Sequence, residues 1–146
     1  MKFVSQLLAA KGHDLWSVTS DTTVFDALQL MADRKVGALL VLEEDSLAGI
    51  LSERDYARKV TLKGKSSKDI LVKDIMTSKI VYVKPEHSIE DSMSLMTEER
   101  VRYLPVMDGE KLIGIISIGD VVKAVISDRE NVIEQLEQYI TGTFKA

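Results

Sequence analysis

Two copies of one polar pattern, glycine-x-x-serine-x-x-aspartate, hold the residues of this chain best suited to bind a ligand. The first copy contains Ser52 and Asp55, and the second contains Ser117 and Asp120. A serine hydroxyl and unpaired backbone N–H groups at a helix start can bind phosphate, and an aspartate can accept from two neighbouring ribose hydroxyls. The upstream glycine lets a ligand approach the backbone closely. Ser-x-x-Asp is also a capping box, and this purely structural interpretation stays open.

The rest of the sequence repeats along with this pattern. Shifting the chain by 65 residues places 18–60 on 83–125 without a gap, with apolar, glycine, serine and aspartate positions in agreement. Shared core packing explains the apolar agreement, whereas the repeated polar residues indicate two copies of one site. One repeat of this length buries too little apolar surface to fold alone. We therefore expect an α/β (α+β) fold of two pseudo-symmetric repeats packed sheet to sheet.

Hydrophobic periodicity predicts the order β-α-β-β-α in each repeat. In the first repeat the strands are 15–18, 38–42 and 47–51, and the helices are 24–34 and 52–60. In the second the strands are 80–83, 103–107 and 112–116, and the helices are 88–100 and 117–126. Pro105 cannot donate a ladder hydrogen bond, so its strand is expected to lie at a sheet edge or to begin irregularly.

The predicted division of the chain has five parts. They are an N-terminal helix at 1–14, repeat one at 15–62, a linker at 63–77, repeat two at 78–127 and a C-terminal amphipathic helix at 128–142. The apolar stripe of this last helix consists of Val132, Ile133, Leu136, Tyr139 and Ile140, and Gly142 is expected to end it. The stripe requires a second surface, on the same module or on a partner chain, and both alternatives stay open.

Composition argues against several classes of function. A net charge of −4 disfavours nucleic-acid binding, which needs a dense basic face. The absence of cysteine removes disulfides and thiolate chemistry, and His13 and His87 stand in no motif, so no metal site is expected. No apolar stretch approaches the roughly 18 residues of a membrane span, and the N-terminus is a poor signal sequence. We therefore expect a cytoplasmic protein without a membrane partner.

The duplication and its motifs together resemble a pair of CBS domains, the regulatory nucleotide-binding (Bateman) module. The resemblance covers nearly the whole chain. Residues 74–77 are similar to the segment that commonly introduces a CBS motif, and 52–60, 100–106 and 117–123 resemble the small stand-alone CBS-pair proteins. The resemblance implies a cleft between the repeats that binds an adenosine-containing ligand such as AMP, ADP, ATP, NAD(H) or S-adenosylmethionine, with no catalytic cofactor.

The resemblance also implies roles for individual residues. Asp55 and Asp120 would hold ribose hydroxyls, and Ser52 and Ser117 would contact phosphate. The adenine would be framed by the backbone at Val18, Thr19, Val83 and Lys84, and the pocket walls would be Gly37, Ala38, Arg102, Tyr103, Leu104 and Pro105.

The two predicted sites are not equivalent. Arg54 stands between the serine and aspartate of the first, where the second has Gly119. Arg102 is the preferred phosphate partner because its planar guanidinium suits bidentate contacts. The alternative is a surface arginine that stacks on or pairs with its neighbours. We expect unequal affinities at the two sites.

Three functions remain in competition. The leading one is a sensor, in which nucleotide binding shifts a homodimer between shapes that an unidentified regulated protein distinguishes. The second is a ligand-free dimerisation scaffold in which both motifs are only helix caps. The third, a nucleotide-processing enzyme, is not expected, because the sequence has no recognisable nucleophile–base pair and no Walker or Rossmann glycine pattern.

Overall fold

A computed structural model describes residues 1–141, and the chain forms two compact units. The repeat-one unit spans Asp14–Val81, and the repeat-two unit joins Met1–His13 to the chain from Tyr82 onward. The predicted helix stop Gly142 lies outside the described residues, as do the side chains of Tyr139 and Ile140.

The elements confirm a mixed α/β fold. In chain order they are α1 (Val4–Lys11), β1 (Ser17–Thr19), α2 (Val24–Arg34), β2 (Ala38–Glu43), β3 (Ser46–Ser52), α3 (Glu53–Tyr56) continuing as a π-helical turn (Ala57–Thr61), α4 (Val72–Ile75), α5 (Ile89–Glu99), β4 (Tyr103–Asp108), β5 (Lys111–Ser117) and α6 (Ile118–Thr141).

The repeat-one unit is built on a three-stranded sheet in the order β1-β2-β3. Strand β1 runs parallel to β2, and β2 pairs antiparallel with β3. The continuous apolar run of β2 is buried because it is the central strand. Helix α2 starts where the Thr23 hydroxyl accepts from the Asp26 N–H and ends at Lys35 in the left-handed region. The core residues are Val24, Ala27, Met31, Leu39, Val41, Leu51, Val60, Val72 and Ile75.

Residues 63–77, which the sequence predicts as a linker, form part of the repeat-one unit. The Val24 N–H donates to the Ile70 carbonyl at 2.9 Å, and the Val72 N–H donates to the Thr22 carbonyl at 2.8 Å. Val72 is fully buried. This segment therefore contributes core residues to the unit as well as connecting the repeats.

The strand predicted at 80–83 is wrong: it is reduced to a single bridge between Val83 and Val106. In repeat one the Leu40 N–H donates to the Trp16 carbonyl at 3.1 Å and ties β2 to the chain before β1. Pro105 stands 65 residues after Leu40 and has no N–H to donate. Strand β4 itself runs through Pro105 and pairs with β5 along its whole length.

Helix α1 packs within the repeat-two unit. The Val4 N–H donates to the His87 carbonyl at 2.9 Å, and the Ile89 N–H donates to the Lys2 carbonyl at 2.9 Å. Leu7 and Leu8 are buried. The core of this unit thus combines residues from the start of the chain with residues of repeat two.

Helix α6 is one continuous helix, where the sequence predicts separate helices at 117–126 and 128–142. The predicted break at Ser127 contains no glycine or proline, so the backbone continues without interruption. The exposed apolar residues of α6 are Val122, Ile126, Val132, Ile133 and Leu136. None of the helices in residues 1–141 combines the length and the apolar character that a membrane span requires.

Candidate functional site

The first Ser-x-x-Asp pattern forms a closed hydrogen-bonded turn between β3 and α3. The Asp55 N–H donates to the Ser52 hydroxyl oxygen at 3.2 Å. In return, Asp55 Oδ2 accepts from the Ser52 N–H at 3.0 Å and from the Ser52 hydroxyl at 3.1 Å. Extended backbone at Ser52 lets its side chain reach over the first helical turn.

The second pattern forms the same turn between β5 and α6. The Asp120 N–H donates to Ser117 Oγ at 3.1 Å, and the Ser117 N–H donates to Asp120 Oδ2 at 2.8 Å. The sequence duplication therefore produces a duplicated local geometry, with one carboxylate fixed at each strand-to-helix turn.

The other two helices with a hydroxyl-bearing N-cap residue start differently. In α2 and α5 the hydroxyls of Thr23 and Ser88 accept from the N–H groups of Asp26 and Asp91. In the described chain, the N-cap N–H donates to the returning carboxylate at Asp55 and Asp120 but at neither of these aspartates. Asp74 of α4 also accepts from its N-cap N–H, that of Leu71 at 3.3 Å, but Leu71 has no hydroxyl. Among the helix starts of the described chain, a capping hydroxyl and a returning carboxylate therefore occur together at Ser52 and Ser117.

The Asp55 carboxylate also has a cation and a hydroxyl beside it. Lys59 Nζ, one helical turn further on, lies 3.2 Å from Asp55 Oδ1 and donates to the Ile75 carbonyl at 2.8 Å. The Thr77 hydroxyl donates to Asp55 Oδ1 at 3.3 Å. Both oxygens of this carboxylate therefore already accept hydrogen bonds or ionic contacts.

The Asp120 carboxylate has a cation from a different element. Lys11, the last residue of α1, places Nζ 2.6 Å from Asp120 Oδ2. Burial of Asp120 disfavours its charged form, but the hydrogen bonds from Lys11 and Ser117 and the charge of Lys11 prevail, so the pKa of Asp120 lies below its ordinary value. Asp120 is therefore ionised at neutral pH and able to accept hydrogen bonds from a ligand.

The sequence predicts that the glycine before each serine lets a ligand approach the backbone, but in the structure the chain itself fills the space beside both glycines. A Cβ on Gly49 would lie 2.8 Å from the Thr77 carbonyl oxygen and 2.9 Å from Met76 Sδ. A Cβ on Gly114 would lie 2.7 Å from Leu8 Cδ2. Both glycines instead allow the chain segment docked on their own unit to pack closely.

In repeat one, the predicted wall residues lie against the Ser52 turn. The Gly37 carbonyl accepts from the Glu53 N–H at 3.1 Å, and Ala38 pairs with Ser52 across the β2–β3 ladder. The remaining predicted residues of this repeat are Val18 and Thr19 on β1, and Arg54, which is half-buried in α3. Because β1 lies on the other side of β2 from β3, Val18 and Thr19 do not border the turn directly.

In repeat two, Arg102 and Tyr103 occupy the equivalent places. The Arg102 carbonyl accepts from the Ile118 N–H at 2.8 Å, and Tyr103 pairs with Ser117. The side chain of Arg102 is exposed. The side chains of three further predicted residues are buried, namely Val83, Leu104 and Pro105. Only the backbone of these residues is available to a ligand. Lys84 and Gly119 are exposed, and the Lys84 N–H donates to His87 Nδ1 at 3.0 Å.

Sequence reasoning missed three residues that touch the two carboxylates. The four-residue spacing of Lys59 from Asp55 is a helical ion-pair signal that was available in the sequence. Lys11 is far from Asp120 in the chain, and Thr77 is far from Asp55, so no local pattern indicates their contacts. Among residues 1–141, no group of three or more histidine, cysteine, aspartate or glutamate side chains is placed to hold a metal ion.

Comparisons with known proteins identify relatives that match most of this chain. A family model for the CBS domain matches residues 9–61 and 72–127. A mitochondrial CBS domain-containing protein of Arabidopsis thaliana is 44% identical over 141 residues, which cover 93% of this chain and 68% of that protein.

Solved structures agree with the fold. The structure of a protein with CBS domains from Burkholderia ambifaria is 53% identical and superposes with a TM-score of 0.84, covering 86% of this chain and 95% of that one. A hexameric CBS-CP12 protein from bloom-forming cyanobacteria is 31% identical with a TM-score of 0.75, covering 82% of this chain and 66% of that one.

Proposed function

The chain belongs to the CBS-domain family, and from that premise we propose that it is a regulatory sensor whose two repeats bind adenosine-containing nucleotides. CBS-domain pairs are generally regulatory and ligand-binding. The observation that carries the proposal is the paired turn at Ser52 and Ser117, where a returning carboxylate is held at the start of a helix. In the part of the chain that the structure describes, the caps of α2 and α5 lack this contact, and the cap of α4 has the carboxylate of Asp74 but no serine hydroxyl.

The chemistry of the turn fits a ribose and a phosphate. An ionised aspartate is an acceptor, and the two hydroxyls of a ribose are adjacent donors. The serine hydroxyl and the N–H groups of the first helical turn suit a phosphate oxygen. AMP, ADP, ATP, NAD(H) and S-adenosylmethionine all carry the adenosine that supplies the ribose. We expect these nucleotides to share the two carboxylates and to differ in what their phosphates or other groups contact.

A sensor also needs a recipient for its signal. Nucleotide binding can shift a conformational equilibrium only by its difference in affinity for the two conformations. We propose that a separate regulated protein distinguishes these conformations, and we assign no catalytic step to the chain. The competing scaffold function is favoured by one observation: the hydrogen bonds within each turn are complete without a ligand.

Thermal unfolding with added nucleotide separates the sensor from the scaffold. A ligand that binds the folded state alone raises the melting temperature as its concentration rises. We expect AMP, ATP, NAD or S-adenosylmethionine at millimolar concentration to raise it, and 2′,3′-dideoxyadenosine monophosphate to raise it much less because it lacks the ribose diol. An unchanged melting temperature with all four adenosine ligands would favour the scaffold.

We further propose that the protein acts as a homodimer. Support comes from the apolar stripe of α6, where Ile133 and Leu136 are each 56% exposed. An exposed apolar stripe on a long helix is typical of a surface that pairs with another chain. Light scattering coupled to size exclusion at micromolar concentration is expected to give twice the 16.3 kDa chain mass. A monomeric mass, or the mass of a larger oligomer, would contradict the homodimer.

A further inference from the structure

The ammonium group of Lys11 is held by two acceptors of repeat two. Its Nζ donates to Asp120 Oδ2 at 2.6 Å and to the Ile115 carbonyl at 2.8 Å. The lysine and aspartate side chains are 34% and 24% exposed, so the contact is only partly shielded from water. This ion pair lies at the carboxylate to which the proposed function assigns the ribose.

Repeat one supplies the matching charge from a different place. There the cation is Lys59, which follows Asp55 by four residues on the same helical segment and lies 3.2 Å away. The residue 65 positions after Lys59 is Ala124, which is buried. Repeat two therefore has no lysine at this position of its own helix, and α1 provides the cation instead.

The contact uses acceptor capacity that a ribose needs. Each carboxylate oxygen has two lone pairs, and Asp120 Oδ2 already accepts from Lys11 Nζ and from the Ser117 N–H. A ribose diol that hydrogen-bonds to both carboxylate oxygens of Asp120 must take the place of one of these two donors on Oδ2. The Ser117 N–H is fixed by the backbone of the turn, whereas the lysine side chain has four rotatable bonds.

We propose that Lys11 sets the nucleotide affinity of repeat two by occupying Asp120 until a ribose displaces it. This inference rests on the proposed function and names the residue that competes with the ligand. Lys11 is a positioning residue, because it acts on the ligand through Asp120.

The side chain moves in this exchange, and helix α1 stays in place. Val4, Leu7 and Leu8 anchor α1 in the core of the repeat-two unit. Leu8 also fills the space beside Gly114, where even a methyl group would collide with it. One partly exposed ion pair contributes much less to docking than three buried apolar side chains. The methylene stem of Lys11 can therefore swing away while the helix remains packed.

The test is a calorimetric titration of AMP into Lys11→Met, made in an Asp55→Asn background so that only repeat two is expected to bind. Removal of a competing ion pair is expected to tighten AMP binding about three- to fivefold relative to the background alone. Loss of a positive charge near an anionic ligand would by itself weaken AMP binding. The expected gain in affinity is therefore opposite to what a general charge effect would produce. Unchanged or weaker binding would overturn the proposal.

Two controls separate competition from other causes. Lys111→Met removes an exposed lysine at the β4–β5 turn of the same repeat and is expected to leave AMP affinity unchanged. The 2′,3′-dideoxy analogue of AMP has no diol to compete with Lys11, so its binding is expected to gain nothing from Lys11→Met. An equal gain for the analogue would also overturn the proposal.

The salt dependence of adenosine affinity keeps the test decisive if Lys11→Met fails to fold. Adenosine, which is uncharged, is titrated into the Asp55→Asn background with native Lys11. Added salt then acts mainly by screening the Lys11–Asp120 ion pair. Adenosine affinity is then expected to rise between about 50 mM and about 500 mM NaCl, and a fall would overturn the proposal.

If the native protein, the background and Lys11→Met, each folded, all fail to bind AMP, the proposed function itself fails. If the background binds AMP and Lys11→Met binds no better, the role of Lys11 alone fails.

Discussion

Replacement of Gly49 by alanine is expected to lower the free energy of unfolding of the repeat-one unit by about 2–3 kcal/mol. The added methyl group would lie 2.8 Å from the Thr77 carbonyl oxygen, a backbone atom. That oxygen accepts from the Ile50 N–H at 3.0 Å, and the Thr77 N–H donates back to the Ile50 carbonyl at 2.9 Å. Because two hydrogen bonds fix the approach of this segment to β3, the segment cannot withdraw without breaking them. Urea denaturation of the two proteins measures the loss.

Gly114→Ala, the equivalent substitution in repeat two, is expected to cause a smaller loss of unfolding free energy. A methyl group on Gly114 would meet the end of the Leu8 side chain instead of backbone, so Gly114→Ala is expected to cost about 1–2 kcal/mol. Gly119→Ala is the matched control, since only Ser117 Oγ lies nearby, at 3.6 Å, and alanine favours the helix. We expect Gly119→Ala to leave stability unchanged or to raise it. A Gly49→Ala protein as stable as the native one would show that residues 76–77 are not held against β3.

Replacement of Asp55 or Asp120 by asparagine is expected to weaken AMP binding at its own repeat about ten- to hundredfold. Asparagine has nearly the same shape as aspartate, but its amide presents one oxygen in place of a charged pair. Hydrogen bonds to a charged acceptor contribute about 1.5–3 kcal/mol, which corresponds to that loss in affinity. Calorimetric titration of each single variant and of the double variant measures the affinity and the number of sites.

Asp91→Asn is the matched control for this pair. Asp91 occupies the same position after a capping serine, at the start of α5, and its N–H donates to Ser88 Oγ at 2.9 Å. The substitution removes an equal charge from the same kind of helix start, and AMP binding is expected to stay at the native level. If Asp91→Asn weakened binding as much as Asp120→Asn, the effect would be one of net charge, and the two turns would lose their assigned role.

The repeated core of the fold could be predicted from the sequence because its signals are local. Helix α2 spans Val24–Arg34 as predicted, since its apolar spacing, its Thr23 cap and its last turn all lie within one short window. Strands β2 to β5 lie within one or two residues of their predicted bounds for the same reason. The two serine–aspartate turns were likewise visible, because each is contained within four residues.

The features that could not be predicted depend on contacts between distant residues. Pro105 has no N–H to donate to the segment beside β4. The strand predicted at 80–83 is therefore reduced to a single bridge, although Pro105 itself lies in β4. The role of Gly49 depends on residues 76–77, and the cation beside Asp120 comes from Lys11. Periodicity within one window carries no information about any of these contacts.

The discontinuous make-up of the repeat-two unit has a consequence for the order in which a growing chain folds. The repeat-one unit is complete once residue 81 has been synthesised. Helix α1 is made before the repeat-one unit, yet its docking surfaces at His87, Gly114 and Asp120 are made after that unit. During synthesis, the apolar side chains of α1 therefore stay without their native partners while repeat one folds. The carboxylate of Asp120 can meet Lys11 only after the whole of the repeat-one unit has been synthesised.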